Sequence, residues 1–356
     1  MRALSLIEFG RMSVVDLPPP VPAEDEALIS IAVTGICGSD LHGFTGANGR
    51  RVPGQVMGHE SVGTVAALGP STAEAGFGVG HRVTFNPVVL PVSARAAYAG
   101  REQHCPDKYV IGVRPDVVAA FAEQIVVPIH NLVAFPAPAP IEHGALVEPL
   151  AVAVHAVRRA AARPGDPVVV IGGGPIGQSV VLALRMAGVT DVLVSEVDAK
   201  RRRLLDGLGA LTVDPRKRPV REEAVRRFGS RPPLSVDAVG SSQSTRDALE
   251  ATGPGGVVAL VGMHSPRLEL DAYAISTEER SVIGCFTYSA QDFVDAAAWI
   301  GGQSEIAARL ISYEVSLNEA PDAFADLARG RVPVGKVLVR LGSPTSAPSA
   351  STGDDE

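Results

Sequence analysis

The run VVVIGGGPIGQSVV at residues 168–181 constrains this chain more than any other segment. A short, β-branched apolar stretch ends on Gly172, and Gly174 and Gly177 complete a G-x-G-x-x-G pattern that opens a helix-like sequence. In a strand–turn–helix unit of this kind each glycine has a task. The first permits a tight turn, the second lets backbone approach a pyrophosphate, and the third lets helix and strand pack closely. Pro175 and Ile176 lie inside the pattern, and the N-terminus of the helix that follows points free N–H groups at the phosphates. The next strand-like run, VLVSE, ends on Glu196, roughly 20 residues further on, where an acid binds the adenosine ribose hydroxyls. These features predict a dinucleotide site built from Gly172, Gly174, Pro175, Ile176, Gly177 and Glu196.

Glu196 also bears on cofactor choice. A carboxylate repels a 2′-phosphate and so favours NAD. Arg201, within the run Lys200–Arg203, argues for NADP, because an arginine accommodates that phosphate. A charge run is more often a solvated helix face, and NAD is the expectation.

The surrounding pattern sets the fold class. From about 151 to 290, strand-like runs (PVVVIG, DVLVSE, LSVDAVG, GGVVALVG) alternate with helix-like stretches, as in βαβ units around a parallel sheet. Residues 1–150 differ, with short apolar runs such as EALISIAV, SVGTVAALG and AEQIVVP broken by Gly and Pro. A chain of 356 residues is long for one core. The expected division is a β-rich domain over 1–150, a dinucleotide domain over 151–290, a return to the first domain over 291–342 and a disordered, Ser/Pro/acid-rich tail over 343–356. Gly262, in LVGMHS at the end of a late strand, is expected near the nicotinamide.

Composition excludes several classes. Net charge is −7 with no basic stripe, so nucleic acid is not an expected partner. No charge-free apolar stretch spans a bilayer, and none suits a signal peptide. Three cysteines give no disulfide framework, which fits a reducing cytoplasm.

A second set of chemistry-bearing residues lies upstream. Cys37 and His42 sit in GICGSDLH, His59 and Glu60 in GHE, and Glu148 in VEPLAVAVHA. Thiolate, imidazole and carboxylate hold zinc, and three protein ligands with one open position is the catalytic form of such a site. Taken singly, a lone Cys is usually a small buried hydrophobe, a lone His a hydrogen-bonded residue, and Glu60 half of an ion pair.

Taken together and in order, GICGSDLHGF, VMGHESVGTVAALG, GVGHRVTFNP, AAFAEQIVVP, VEPLAVAVHAV and VVVIGGGPIG resemble the zinc-containing medium-chain dehydrogenases over residues 1–342, closest to the sorbitol (polyol) and threonine dehydrogenase branch. The resemblance implies an α/β protein with a doubly wound parallel Rossmann sheet plus a GroES-like β-rich catalytic domain. It implies Cys37, His59 and Glu60 as zinc ligands, with Glu148 beside the metal as an alternate ligand or a partner of its water. It further implies Ser39 and His42 as a proton relay, Asp40 as an orienter of a ligand, and a homodimer or homotetramer. In this chemistry zinc polarises an alcohol oxygen and the dinucleotide accepts a hydride, while an imidazole near its ordinary pKa can accept the hydroxyl proton. Two carboxylates on one zinc beside a thiolate would leave the site net negative, so Glu60 and Glu148 are expected to exchange.

The chain departs from its relatives in two places. Many carry a second zinc in C-x2-C-x2-C-x7-C. Aligned on Cys105, the other three positions here are Pro91, Ala94 and Ala97, so one zinc per chain is expected. The Arg-Tyr pair of polyol dehydrogenases is Thr287–Tyr288, which removes a polyol-binding arginine. Phe121 and Tyr288 are candidates for pocket walls or for core packing. The expected substrate is a secondary alcohol with further hydroxyls: a polyol, sugar or cyclitol. The competing readings are a zinc-free NADPH-dependent quinone or enoyl reductase of the same superfamily, against which Cys37, His59, Ser39 and His42 argue, and a non-catalytic dinucleotide-binding protein.

Overall fold

The computed structural model describes residues 1–47, 49–331 and 333–342; the tail expected over 343–356 lies outside them. Two large sheets dominate. The first orders its strands as Ile311–Ser316, Lys336–Arg340, Glu26–Gly35, Glu60–Leu68, Arg82–Phe85 and Leu132–Ala134, with Gln124–Pro128 also pairing to Glu26–Gly35. It is antiparallel except where Ile311–Ser316 meets Lys336–Arg340 in parallel. Alternation is clearest in Glu26–Gly35, whose Ala27, Ile29, Ile31 and Val33 are all buried, as expected for a strand with one covered face.

The second sheet is wholly parallel, ordered Leu211–Val213, Val192–Ser195, Val168–Ile171, Leu234–Asp237, Val257–Leu260 and Ser281–Gly284. Counted along the chain this is the 3-2-1-4-5-6 order of a doubly wound dinucleotide fold. Its inner strands are continuous apolar runs because helices cover both faces: every residue of Val168–Ile171 and Val192–Ser195 is buried.

The two sheets share a core. One cluster runs from Val33, Val62 and Leu338 of the first sheet, through Leu146, Leu150 and Val154, to Val168, Val170 and Val236 of the second. The helix Val147–Arg159 makes this join, packing against Pro175–Met186 and Ala290–Gly301. A domain division drawn at residue 150 therefore falls inside a helix. Ala290–Gly301 stays with that helix, and the chain rejoins the first sheet only at Ile311–Ser316, later than 291. The reason is hydrophobic: the apolar face of Val147–Arg159 needs Phe293, Ala296, Ala297 and Ile300 as its cover. Among the described residues, no helix is long and apolar enough to cross a membrane.

Asp292 pins this join. Its Oδ1 accepts from Arg158 at 2.7 Å, and its Oδ2 pairs with His155 Nδ1 at 2.9 Å and accepts from Ser289 Oγ at 2.8 Å. Burial opposes its ionisation, but the bonds from His155, Ser289 and Arg158 outweigh burial and hold the carboxyl well below the usual range. Asp292→Ala would remove the partner of the mostly buried His155 and one of the two partners of half-exposed Arg158, and should cost about 1–3 kcal/mol in urea unfolding. Because the folded pKa lies below the unfolded one, wild-type Asp292 stabilises above about pH 4 and that contribution is lost on further acidification. The variant should therefore show a flatter fall of stability between pH 5 and pH 3, read by thermal melts; an unchanged slope would contradict this role.

Candidate active site

Cys37 is the residue at which the strand Glu26–Gly35 has ended and the helix Gly38–Phe44 begins. Asp40 fixes that corner, its Oδ2 accepting from the Cys37 N–H at 3.1 Å. Ser39 and His42 lie three apart on the same short helix, and neighbours at that spacing share a face. His59 and Glu60 arrive on the adjacent strand. Glu60 pairs in register with Gly35, and His59 immediately precedes it. One β-ladder thus brings together two sequence segments more than twenty residues apart.

The result is a compact donor set. Ligand atoms of Cys37, His59 and Glu60 all lie within 4.8 Å of one another. His59 Nδ1 stands 3.6 Å from Asp40 Oδ1, so an Nδ1–H directed at Asp40 leaves Nε2 as the nitrogen with a free lone pair. Glu60 Oε1 accepts from the buried Lys336 ammonium at 2.7 Å, while Glu60 Oε2 is buried with no partner. A buried carboxylate oxygen without a donor is costly, and a cation shared with Cys37 and His59 would satisfy it. The local field favours such a cation. Burial opposes protonation of His59, yet Asp40 and the Cys37 sulfur outweigh burial and hold its pKa well above the ordinary value. The donor set (one sulfur, one imidazole, one carboxylate) suits zinc with an open fourth position.

Glu60 keeps its place through a close approach that only glycine allows. A Cβ at Gly35 would fall 2.3 Å from Glu60 Oε2 and 3.3 Å from Lys336 Cδ.

Glu148 stands at the edge of this cluster, outside the three-ligand group. It is buried on the first turn of Val147–Arg159, and its Oε1 accepts from the Tyr288 hydroxyl at 2.9 Å. Burial raises its pKa to about 7, against the opposing charge of His59. Tyr288 is completely buried and Phe121 is equally so, packed edge-on against Phe324 at 5.4 Å. Neither is a pocket wall: one orients Glu148 and the other fills the first core. Thr287 has φ +51°, a strained conformation for a β-branched residue, and its Oγ1 is buried without a partner. For His42, burial and the nearby His264 both lower the pKa.

Gly172, Gly174, Pro175, Ile176 and Gly177 form the turn from Val168–Ile171 into the helix Pro175–Met186. A Cβ at Gly177 would sit 1.9 Å from Gly172 O, so nothing larger fits. A Cβ at Gly174 would meet only the Arg201 guanidinium, at 3.5 Å; that side of the turn is open, as a pyrophosphate requires. Glu196 Oε2 accepts from Gly173 N at 2.8 Å and Oε1 from Asp198 N at 2.7 Å. Arg201 borders the turn and donates to Pro333 O at 3.0 Å. Gly262 follows the strand Val257–Leu260. Its backbone lies so close to Val239 and Gly240 that a Cβ would come within 2.1 Å of Val239 C. A cavity of about 440 Å³ opens there, lined by Gly262, Met263, Cys285, Phe286, His155 and Arg159.

In the lobe around 88–110, Pro91, Ala94 and Ala97 carry no ligand atoms and Cys105 is fully buried in the larger core. Sequence reasoning missed Lys336, Arg51 and Gln178. Arg51 lies 3.9 Å from Asp40 with its side chain buried. The only hint of Lys336 was a lysine opening the otherwise apolar run GKVLVRL.

A candidate metal-ligand triad and a glycine-rich strand–turn–helix in one chain are the components a metal-assisted oxidoreductase needs. Comparison with known proteins makes the class specific. Residues 23–137 match the alcohol dehydrogenase GroES-like domain and residues 175–301 the zinc-binding dehydrogenase family. The chain is 30% identical to 2-dehydro-3-deoxy-L-galactonate 5-dehydrogenase of Pseudoalteromonas atlantica, over 92% of this chain and 95% of that protein. Galactitol-1-phosphate dehydrogenase from Escherichia coli superimposes with a TM-score of 0.87 at 28% identity, covering 96% of this chain and all of the other. A zinc-binding dehydrogenase from Sinorhizobium meliloti 1021 bound to NADP gives a TM-score of 0.85 at 30% identity, covering 95% and 98%. The chain belongs to the zinc-type medium-chain dehydrogenase family, in its polyol branch. It is an oxidoreductase of alcohols that works with a nicotinamide cofactor.

Gly35→Ala tests the packing behind Glu60. The added methyl should displace the carboxylate and weaken zinc binding by about 10- to 100-fold, measured by chelator competition. Affinity equal to wild type would show that Glu60 is free to adjust.

Proposed function

We propose that this protein oxidises a secondary alcohol bearing further hydroxyls, of the polyol, sugar or cyclitol type, with NAD as hydride acceptor and one zinc per chain. The observation that carries this reading is the convergence of Cys37, His59 and Glu60 within 4.8 Å, with Glu60 Oε2 left for a cation. Zinc, when bound, supplies a Lewis acid for the alcohol oxygen. The remaining work falls to the chain itself. Cys37, His59 and Glu60 would hold the ion; Asp40 fixes the Cys37 backbone and places its charge 3.6 Å from His59 Nδ1. Ser39 takes the hydroxyl proton and His42 passes it outward. The lowered pKa of His42 keeps it neutral at pH 7 and so able to accept. Glu148, steered by Tyr288, adjusts the charge beside the ion.

Gly172, Gly174, Pro175, Ile176 and Gly177 cradle the pyrophosphate, Glu196 binds the adenosine ribose, Arg201 borders the same turn, and Gly262 lines the nicotinamide end. NAD is preferred because the Glu196 carboxylate, held by Gly173 N and Asp198 N, would repel a 2′-phosphate. The NADP found with the Sinorhizobium meliloti dehydrogenase makes this the finest point at issue. Loss of the arginine at Thr287 points away from sorbitol itself. We further place the protein in the cytoplasm as a homodimer or homotetramer. We read a β-rich metal domain and a dinucleotide domain that share the helix Val147–Arg159, with the chain returning to the first from Ile311 onward.

Cys37→Ser should strip most of the zinc, seen by elemental analysis, and abolish nearly all NADH formation at 340 nm across a panel of secondary alcohols. NADH binding should persist. Full turnover in this variant would rule out the proposed site. With the best alcohol, kcat/KM should be higher for NAD than for NADP, and Glu196→Ala should narrow that gap; the opposite order would reverse the cofactor assignment.

A further inference from the structure

Four residues near the end of the chain touch both halves of the site. Gln178, on the helix that starts at the glycine turn, donates from Nε2 to Gly173 O at 2.9 Å and to Val334 O at 2.7 Å. Arg201 donates to Pro333 O from Nε at 3.2 Å and from its terminal nitrogen at 3.0 Å. The segment Pro333–Val334 is therefore fastened to the dinucleotide turn by two side chains. Gly335 follows, its N–H donating to Ser312 Oγ at 2.7 Å. A Cβ at Gly335 would fall 2.1 Å from Leu310 O, so the backbone is confined there. The next residue, Lys336, is buried and donates to Glu60 Oε1 at 2.7 Å. Val334 and Lys336 are two residues apart, about 7 Å of extended backbone. Lys336, Gln178 and Pro175 also line one small pocket with Pro149 and Leu150.

We propose that the Pro333–Lys336 strap couples the two binding sites, with Lys336 as a positioning residue for Glu60. This rests on the metal and dinucleotide sites proposed above. Lys336 holds one oxygen of Glu60 and thereby presents the other to the metal. The pose of Lys336 is set in turn by a backbone that Gln178 and Arg201 fasten to the glycine turn. A dinucleotide that braces the turn braces the strap, so Glu60 is held ready for the ion. Zinc on Glu60 orders the same strap from its other end, so the turn is held ready for the dinucleotide. Coupling of this kind is reciprocal, and each ligand tightens the other by one common factor.

The test is the NADH dissociation constant, read by fluorescence, for zinc-loaded and chelator-stripped protein. In the wild type zinc should tighten NADH by about fivefold or more. Lys336→Gln removes the cation at one end of the strap, and Gln178→Ala removes a fastener at the other. In each, the ratio of the two constants should fall to about one, whatever happens to either affinity alone. Lys336→Arg should restore it. Arg201→Ala, at a partly exposed position, provides a milder second fastener variant and should lower the ratio by itself. A wild-type ratio of one with both ligands bound, or ratios unchanged in Lys336→Gln and Gln178→Ala, would overturn the strap while leaving the two sites intact. A chain that binds NADH but no zinc at all would overturn the metal site, and the strap with it.

Discussion

The buried ion pair between Lys336 and Glu60 is the constraint around which this molecule is arranged. Two charges removed from water are tolerated only when geometry and further partners repay their desolvation. Here the lysine takes one carboxylate oxygen and leaves the other bare. A carboxylate oxygen of Glu60 lies within 4.8 Å of the Cys37 sulfur and of a His59 ring nitrogen. The pair therefore converts what would be a simple structural contact into an unsatisfied, directional demand for a cation. The position of Gly35, too close to Glu60 for any side chain, shows how tightly that geometry is drawn.

That demand is met only because chain segments far apart in sequence converge. Cys37 comes from the end of one strand, His59 and Glu60 from its antiparallel neighbour, and Lys336 from the strand on the other side. Glu148 comes from the helix that joins the two sheets. In a doubly wound fold the ligand sits at the carboxyl ends of the parallel strands, and the glycine turn after Val168–Ile171 lies at such an end. The strap at Pro333–Lys336 lies where these contributions meet, which is why the last strand of the first sheet borders both the nucleotide turn and the metal ligands.

The elements were largely readable from local pattern. The alternation of apolar runs with helix-like stretches gives the parallel sheet, because strands covered on both faces have nothing polar to show. The glycine pattern with Glu196 gives the turn, because the steric demands there are local: Gly177 touches Gly172, five residues away. Cys37, His59 and Glu60 could be named from ligand chemistry and family resemblance. Tyr288 and Phe121 show the limit. An aromatic side chain looks the same in a sequence whether it walls a pocket or fills a core. Tyr288 proved to be a buried hydrogen-bond donor to Glu148, and Phe121 a core residue against Phe324. The boundary at 150 failed to mark a break for a related reason: a helix that covers two sheets has an apolar face towards each, and no punctuation within it.

By itself the sequence determined the two kinds of sheet, the dinucleotide turn and the candidate ligand set, because each follows from short-range sterics or from the donor chemistry of single side chains. Only the tertiary structure decided that Glu60 and not Glu148 joins the cluster, that Asp40 faces His59, and that Lys336 and Gln178 tie the end of the chain to both sites. Those outcomes depend on strand register and on contacts between residues up to 276 positions apart, and no local pattern encodes which of several buried charges will find one another.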